Sequence, residues 1–352
     1  MNARRSTTMT MKDVAAQLGV SRTTVSLVLK GDGDRYRIHP ETQKKILRLA
    51  KKLDYKPNFF AAALNRRATC QVGVVFPNVF EAFMTEMVKG IEDVLYARGY
   101  TMLLSTCRFE RKREQTSIEQ LVYRGVDGLL LVPNAPMTGE KYNYAHIERL
   151  AGDNIPMVFI DRFLPHIGSS YVIQDDFNGA RDAVTSLMRL GRTRIAYVSL
   201  DIDITSIHRR FEGYTRALGD AGMALRDDFI IKLRTRDPQS TDLSGALSRL
   251  MKRPAGDRPD AFFVTTHGLS LRVLRILAAM GLALNHDFSV AKFGADPEHH
   301  PTGMLCVRQP HAEMGSRAAT LLLDTISAPK STDAARRHIV LPAVLEPAAV
   351  AS

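Results

Sequence analysis

The sequence predicts a small all-α headpiece carrying a helix-turn-helix, followed by a two-lobed α/β core with parallel sheets. Three observations lead there. Positive charge is concentrated at the N-terminus, two short helical patterns are joined there by a very tight turn, and the remaining chain alternates strand-like and helix-like stretches in two successive rounds. A length of 352 residues allows two or three units with real cores.

Charge locates the first unit. Residues 1–70 hold 15 Lys and Arg against 5 Asp and Glu, a net of +10, whereas the whole chain carries +11. A basic module facing a polyanion, attached to an electrically ordinary body, is the implied arrangement. The opening "MNARRSTTMTMKD" has cations with no apolar run behind them, so no secretory signal is expected and the cytoplasm is the expected location. Cys70, Cys107 and Cys306 lie too far apart in sequence for a disulfide framework or a local metal knuckle and are expected as reduced thiols.

The elements follow in chain order. Thr10 and Asp13 stand at the spacing of an N-cap and its third helical residue, and Val14, Ala15 and Leu18 continue at helical intervals, which predicts a helix over 11–18. Gly19 suits the left-handed residue that ends it, and Ser21 can cap a second helix by accepting a backbone N–H from Thr23 or Thr24. Two short helices joined so closely must cross steeply, with small Ala15 against Val25 at the contact and Leu18, Val28 and Leu29 beneath. Hydroxyls and a helix N-terminus suit phosphate oxygens, and exposed residues at the start of the second helix suit base edges in a major groove. In "HPETQKKILRLAKKLDY", Pro40 fits the first helical position, while Ile46, Leu49, Ala50 and Leu53 form a stripe able to close the core. Pro57 ends that helix, Asn58 can cap another, and Phe59 to Arg66 would form a helix too short to be stable alone.

From Gln71 onward "QVGVVFP", "YTMLLST", "VDGLLLVP" and "IPMVFID" read as buried parallel strands, and "RIAYVSL", "AFFVTT" and "FSVAKFG" repeat the scheme. Two open α/β lobes follow, with a ligand expected in the cleft outside the carboxyl ends of their strands. No dinucleotide fingerprint, P-loop, zinc-protease or serine-hydrolase signature occurs, so neither catalysis nor a cofactor or metal is expected. Two other classes share parts of this pattern. A solute-binding protein would have the lobes but no use for a basic head, and an α/β enzyme with a DNA-binding head would turn over its metabolite.

"MKDVAAQLGVSRTTVSLVLKG", "PETQKKIL", "DYKPN" and the Ala-Leu before Asn65 stand together in an order that resembles the LacI/GalR family of transcriptional regulators, and the similarity extends over essentially the whole chain. The resemblance implies a headpiece over residues 1–56, a hinge helix and linker over 57–69, and a periplasmic-binding-protein-like core over 70–352. It also implies a homodimer on a palindromic operator in double-stranded DNA, a regulator and more specifically a repressor, controlled by a small-molecule effector. Family recognition positions fall on Arg22, Thr23 and Leu27; Ser21, Thr24 and Ser26 match phosphate contacts, and Thr10, Lys30 and Asn58 join the same surface. Leu64 matches the hinge leucine that opens a base step in the minor groove. Leu27 stands where arginine is frequent and cannot make a bidentate bond to guanine. "KGDGDRYRIHPET" is a few residues longer than usual, and His39 replaces a common serine cap.

Positions matching the family's effector pocket are Phe83, Asp161, Arg162, Asp175, Arg210, Thr266 and His267. Thr266-His267 stands in place of the usual Asn-Asp, and Gly294-Ala295 in place of an acidic pair, which leaves Arg162, Arg210 and His267 as cations. An anionic effector, a phosphorylated sugar or an organic acid, is therefore expected. The alternative is that the two arginines pair with local aspartates.

Overall fold

The computed structural model describes residues 10–53, 55, 68–78, 82–134, 136–139, 142–234, 242–294, 303–328 and 336–346. The chain divides into two compact units, Met1–Thr69 and Cys70–Ser352.

In the first unit, helices α1 (Met11–Leu18), α2 (Arg22–Leu29) and α3 (Pro40–Lys52) begin and end where the caps require. Thr10 Oγ1 accepts the Asp13 N–H at 3.3 Å, and the Asp13 carboxylate accepts the Thr10 N–H at 2.8 Å, closing a reciprocal capping box. The carboxylate also accepts from the Thr10 hydroxyl at 2.7 Å, and this bond, with that from the Thr10 N–H, favours the ionised form and holds the Asp13 carboxyl below its ordinary value. Gly19 is left-handed, at φ 64°. Ser21 Oγ then accepts the Thr24 N–H at 3.0 Å. A cap of this kind is worth about 1 kcal/mol to so short a helix. At α3 the unusual cap is real: His39 Nδ1 accepts the Glu41 N–H at 3.3 Å. Val14, Ala15, Val25, Val28 and Ile46 form the buried centre, with Leu18, Leu29, Ile38, Leu49 and Leu53 packed around it. The expected contact of Ala15 with Val25 is therefore part of one core.

The second unit contains two six-stranded sheets. The first is built from β1 (Gln71–Phe76), β2 (Thr101–Thr106), β3 (Gly128–Leu131), β4 (Met157–Ile160), β5 (Ser170–Gln174) and β11 (His338–Leu341), in the order β11-β5-β4-β3-β1-β2 and parallel throughout. The second contains β6 (Ile195–Leu200), β7 (Ile230–Leu233), β8 (Ala261–Val264), β9 (Ser289–Phe293), β10 (Leu305–Arg308) and β12 (Val344–Glu346), in the order β12-β10-β9-β8-β6-β7. Only β12 runs antiparallel to its neighbour there. Central strands such as β3 and β8 are buried along their whole length, as strands covered on both faces must be.

Helices α4 (Ala82–Ala97), α5 (Arg111–Tyr123), α6 (Ala145–Gly152) and α11 (His311–Ser327) cover the first sheet. Helices α7 (Asp176–Arg189), α8 (Thr205–Asp220), α9 (Asp242–Met251) and α10 (His267–Ala279) cover the second. Helices α4 and α11 approach so closely that a Cβ on Gly315 would lie 2.2 Å from the Met87 carbonyl oxygen, which only glycine avoids. The chain passes between lobes three times: from β5 into α7, from β10 into α11, and from β11 into β12. All three passages leave the carboxyl end of a strand, so polar groups at those ends gather where the lobes meet.

A fourth connection is not covalent. The Thr138 N–H donates to the Asp201 carbonyl at 2.8 Å and the Asp203 N–H to the Pro136 carbonyl at 3.1 Å. They flank an antiparallel bridge between Met137 and Ile202, backed by Ile204 and Ile207. Cys107 and Cys306 are buried free thiols, and burial pushes the Cys107 thiol up to about 12, so it is unreactive at neutral pH. Among the described residues no helix is long and apolar enough to cross a membrane.

Candidate DNA interface and effector cleft

On α2 the buried residues are Val25 and Val28. Helical spacing then turns Arg22, Thr23, Ser26, Leu27 and Lys30 to the other side. Arg22, Thr23 and Lys30 are exposed, while Ser26 and Leu27 are half-buried. Ser21 and Thr24 share a hydroxyl–hydroxyl hydrogen bond of 2.8 Å at the helix start, and Thr10 is exposed at the start of α1. The N-cap is thus occupied by Thr24 N–H, one of the two expected donors. Asn58 and Leu64 lie outside the described residues.

Cations in this unit differ from those in the core. Among the described residues of the headpiece, Lys44 pairs with Glu41 at 3.1 Å. Arg22, Lys30, Arg35, Arg37, Lys45, Arg48, Lys51 and Lys52 have no carboxylate partner there. Core arginines are commonly paired, as in Arg113–Glu110, Arg216–Asp220 and Arg317–Glu313. Unpaired, exposed cations on a small unit leave its field open to a polyanion.

In the core, the expected effector residues converge on the lobe boundary. Asp161, at the end of β4, has left-handed backbone (φ 69°), and the Arg162 Nε beside it lies 3.8 Å from the Asp161 carboxylate. Both are buried, and this Nε makes no hydrogen bond. Asp175 caps α7, accepting the Asn178 N–H at 3.0 Å. Thr266 caps α10 through a 3.5 Å bond from the Leu269 N–H. Phe83 belongs to α4, and its side chain lies outside the described set.

Two expectations are corrected. Arg210 is not a free cation: its Nε donates to the Asp176 carboxylate at 2.8 Å, its Nη1 donates to the Thr265 carbonyl at 2.5 Å, and its guanidinium stacks 4.0 Å from the Phe293 ring centre. A guanidinium without these partners would carry an unmet desolvation cost at a site only 5% exposed, so local pairing wins. His267 is not free either: its Nδ1 lies 2.8 Å from the buried Lys292 Nζ, and the two share a hydrogen bond.

Several groups were missed by sequence reasoning. Asp176 rather than Asp175 holds Arg210, and Gln174 Nε2 donates to the same carboxylate at 2.6 Å. Burial pushes the Asp176 carboxyl up to about 6 against the opposing pull of Arg210, with Asp161 adding to the rise. Burial pulls the nearby His311 ring down to about 4, opposed by Asp161 and assisted by Arg210. Asp175 and Asp176 stand side by side in the sequence, and nothing there marks which of the two faces inward. A groove between α7 and α8, lined by Phe177, Glu212 and Arg216, includes none of the expected effector residues.

His311 and Asp176 act on stability in opposite senses. Below its ordinary 6.5 the unfolded His311 takes up a proton that the folded protein refuses, so stability from this group falls as pH drops from 6.5 towards about 4. Folded Asp176 keeps a proton that the unfolded chain releases above 3.8, so its contribution falls as pH rises from there to about 6. His311→Asn is therefore expected to gain stability relative to the parent on acidification from about pH 6.5 to about pH 4.5. Urea midpoints across that range measure the difference, and a constant offset would contradict the buried neutral imidazole.

Comparison with known proteins decides the family. The family description "Bacterial regulatory proteins, lacI family" matches residues 10–58, and "Periplasmic binding proteins and sugar binding domain of LacI family" matches residues 69–343. The chain belongs to the LacI family. As a LacI-family protein it is a DNA-binding transcriptional regulator with a small-molecule-binding core. It is 30% identical over 287 residues to catabolite control protein A of Priestia megaterium, covering 81% of this chain and 82% of that protein. Among solved structures, the CelR–cellobiose complex is similar with a TM-score of 0.67 at 29% identity, covering 97% of this chain and 99% of that one. The lac repressor dimer bound to operator and the anti-inducer ONPF shares the fold of this LacI-family chain, with a TM-score of 0.77 at 20% identity over 96% and 97% of the two chains.

Proposed function

We propose that this LacI-family chain is a cytoplasmic repressor that binds an inverted-repeat operator as a homodimer, with affinity set by a small polar effector in the inter-lobe cleft. The exposed face of α2, capped by Ser21 and backed by a five-residue buried centre, is the observation that carries the reading. Arg22 and Thr23 reach base edges from its N-terminal end, and Ser21, Thr24 and Ser26 bind phosphate. Leu64, in the expected hinge over residues 57–69 and outside the described residues, is the proposed wedge at a central base step when two copies meet in the minor groove.

The effector is read from what remains unsatisfied. Arg210 is already paired, whereas the Arg162 Nε is buried without a hydrogen bond and only loosely offset by Asp161. A ligand bringing one carboxylate or phosphate oxygen to Arg162 would complete it, while Asp161 and Asp175 accept from hydroxyls. The chain binds this ligand without turning it over. An effector that prefers one lobe arrangement shifts the dimer towards it and changes operator affinity by the coupling energy.

Selection of bound duplexes from random DNA, followed by calorimetry with neutral, phosphorylated and carboxylated sugars and with organic acids, tests the proposal. Enrichment of an inverted repeat that bends on binding, together with heat from an anionic ligand, is expected. Binding of neutral sugars alone would remove the anionic effector, and no enriched repeat at modest ionic strength would remove the operator reading.

A further inference from the structure

The segment between α2 and α3 is a pinned loop that displays a cationic tip. Its path starts from the C-terminal end of the exposed α2 face at Lys30, with the Asp32 N–H donating to the Leu27 carbonyl at 2.9 Å. The Ile38 N–H closes back on the Gly33 carbonyl at 2.9 Å, and Ile38 packs on the headpiece core. Gln43 of α3 fastens the interior: its Nε2 donates to the Asp34 carboxylate at 2.9 Å and to the Ile38 carbonyl at 2.8 Å. Gly33 is buried beneath, where a Cβ would stand 2.3 Å from the Gln43 Oε1. Arg37 is held in left-handed backbone at φ 54°, a conformation that non-glycine residues adopt at a cost.

Arg35, Tyr36 and Arg37 project from this frame. Tyr36 is 54% exposed, the Arg35 guanidinium lies 5.7 Å from the Tyr36 ring centre, and neither arginine has a carboxylate partner. The loop's own acids are drawn away from the tip: the Asp34 carboxylate is held on Gln43 and Asp32 is half-buried at the base. A large exposed aromatic thus stands between two arginines that have no carboxylate partner, on a backbone fixed at both ends.

Position says what binds. Helix α2 has 8 residues and so spans about 12 Å at 1.5 Å per residue. The B-DNA major groove is about 12 Å wide. When the N-terminal end of α2 meets base edges, its C-terminal end and the following loop therefore stand at the level of the phosphate rim.

We propose that the Arg35-Tyr36-Arg37 tip is a second DNA-contacting element, which grips the sugar–phosphate backbone beside the half-site read by α2. This rests on the DNA-binding reading above and adds to it a contact that carries affinity without sequence information. Each arginine displaces about one condensed counterion, so each head loses about 1.8 from the slope of log K against log salt when both are neutralised.

The test uses the full chain, a selected inverted-repeat duplex and a scrambled duplex of equal length. In Arg35→Gln/Arg37→Asn, asparagine tolerates the left-handed backbone while both charges are removed. Weaker binding to both duplexes, a preserved ratio between them and a shallower salt slope are expected. Arg35→Lys/Arg37→Lys should restore the slope, which separates charge loss from misfolding. An unchanged slope in the neutral variant, with the parent binding its repeat normally, overturns the loop contact alone. A parent that prefers no duplex overturns the operator reading, and the loop contact with it.

Discussion

Arg210→Ala is expected to lower the stability of the core by about 3–5 kcal/mol, the range for removing one partner of a buried ion pair. The size comes from what stays behind. Asp176 would be left in a site only 4% exposed, with Gln174 as its remaining partner and Asp161 nearby opposing its ionisation. The Thr265 carbonyl would lose its donor and the Phe293 ring its stacked cation. Because burial already pushes Asp176 up to about 6 with Arg210 present, removal of Arg210 should carry the carboxyl higher and leave it protonated at neutral pH. Urea unfolding of Arg210→Ala, Asp176→Asn and a double Arg210→Leu/Asp176→Leu variant measures the coupling. The double variant should recover much of the loss, since a buried pair replaced by apolar side chains is often close to neutral. A loss below about 1 kcal/mol in the single variant would show that water, and not the protein, solvates Asp176.

Arg22→Ala is expected to cost about 1–3 kcal/mol of discrimination at one base pair of each half-site while leaving the fold intact. Arg22 is exposed at the first position of α2, outside the buried centre of Val14, Ala15, Val25, Val28 and Ile46. The Ser21 cap needs only the Thr24 N–H, so the helix start survives the change. Competition with duplexes carrying single base substitutions gives the readout: the variant's profile should flatten at one symmetric position and keep its shape elsewhere. Half-buried Leu27 offers no bidentate donor, so no second arginine on α2 compensates. Uniform weakening at every position would reassign Arg22 to phosphate.

The contrast between headpiece and core shows what a sequence reveals. Thr10 with Asp13, Gly19, Ser21 and Pro40 act on groups within four residues, so the starts of three helices and the end of the first could be read directly and agree with the structure, whereas the third ends at Lys52, ahead of the Pro57 expected to stop it. Strands such as β1, β3, β4, β8 and β9 were legible because burial on both faces demands unbroken apolar runs. Strand β2 was read as buried, whereas as an edge strand it is partly exposed along its length, and β5, β7 and β11, also interrupted by partly exposed positions, were not read. The cleft was legible as a set of positions and illegible as a set of partners. Arg210 and Asp176 are 34 residues apart, and only the fold shows that the inner acid of the pair meets the guanidinium while the outer one caps a helix. Lys292 likewise reads as a charge in a strand, until its 2.8 Å approach shows that it meets His267.

The Met137–Ile202 bridge constrains the parting of the lobes as well as the shape of the core. Drawing the lobes apart at this point would sever two main-chain bonds and wet Met137, Ile202 and Ile207 together. Any parting of the two sheets at this point must therefore break the clasp first, which makes it a fixed toll on lobe opening.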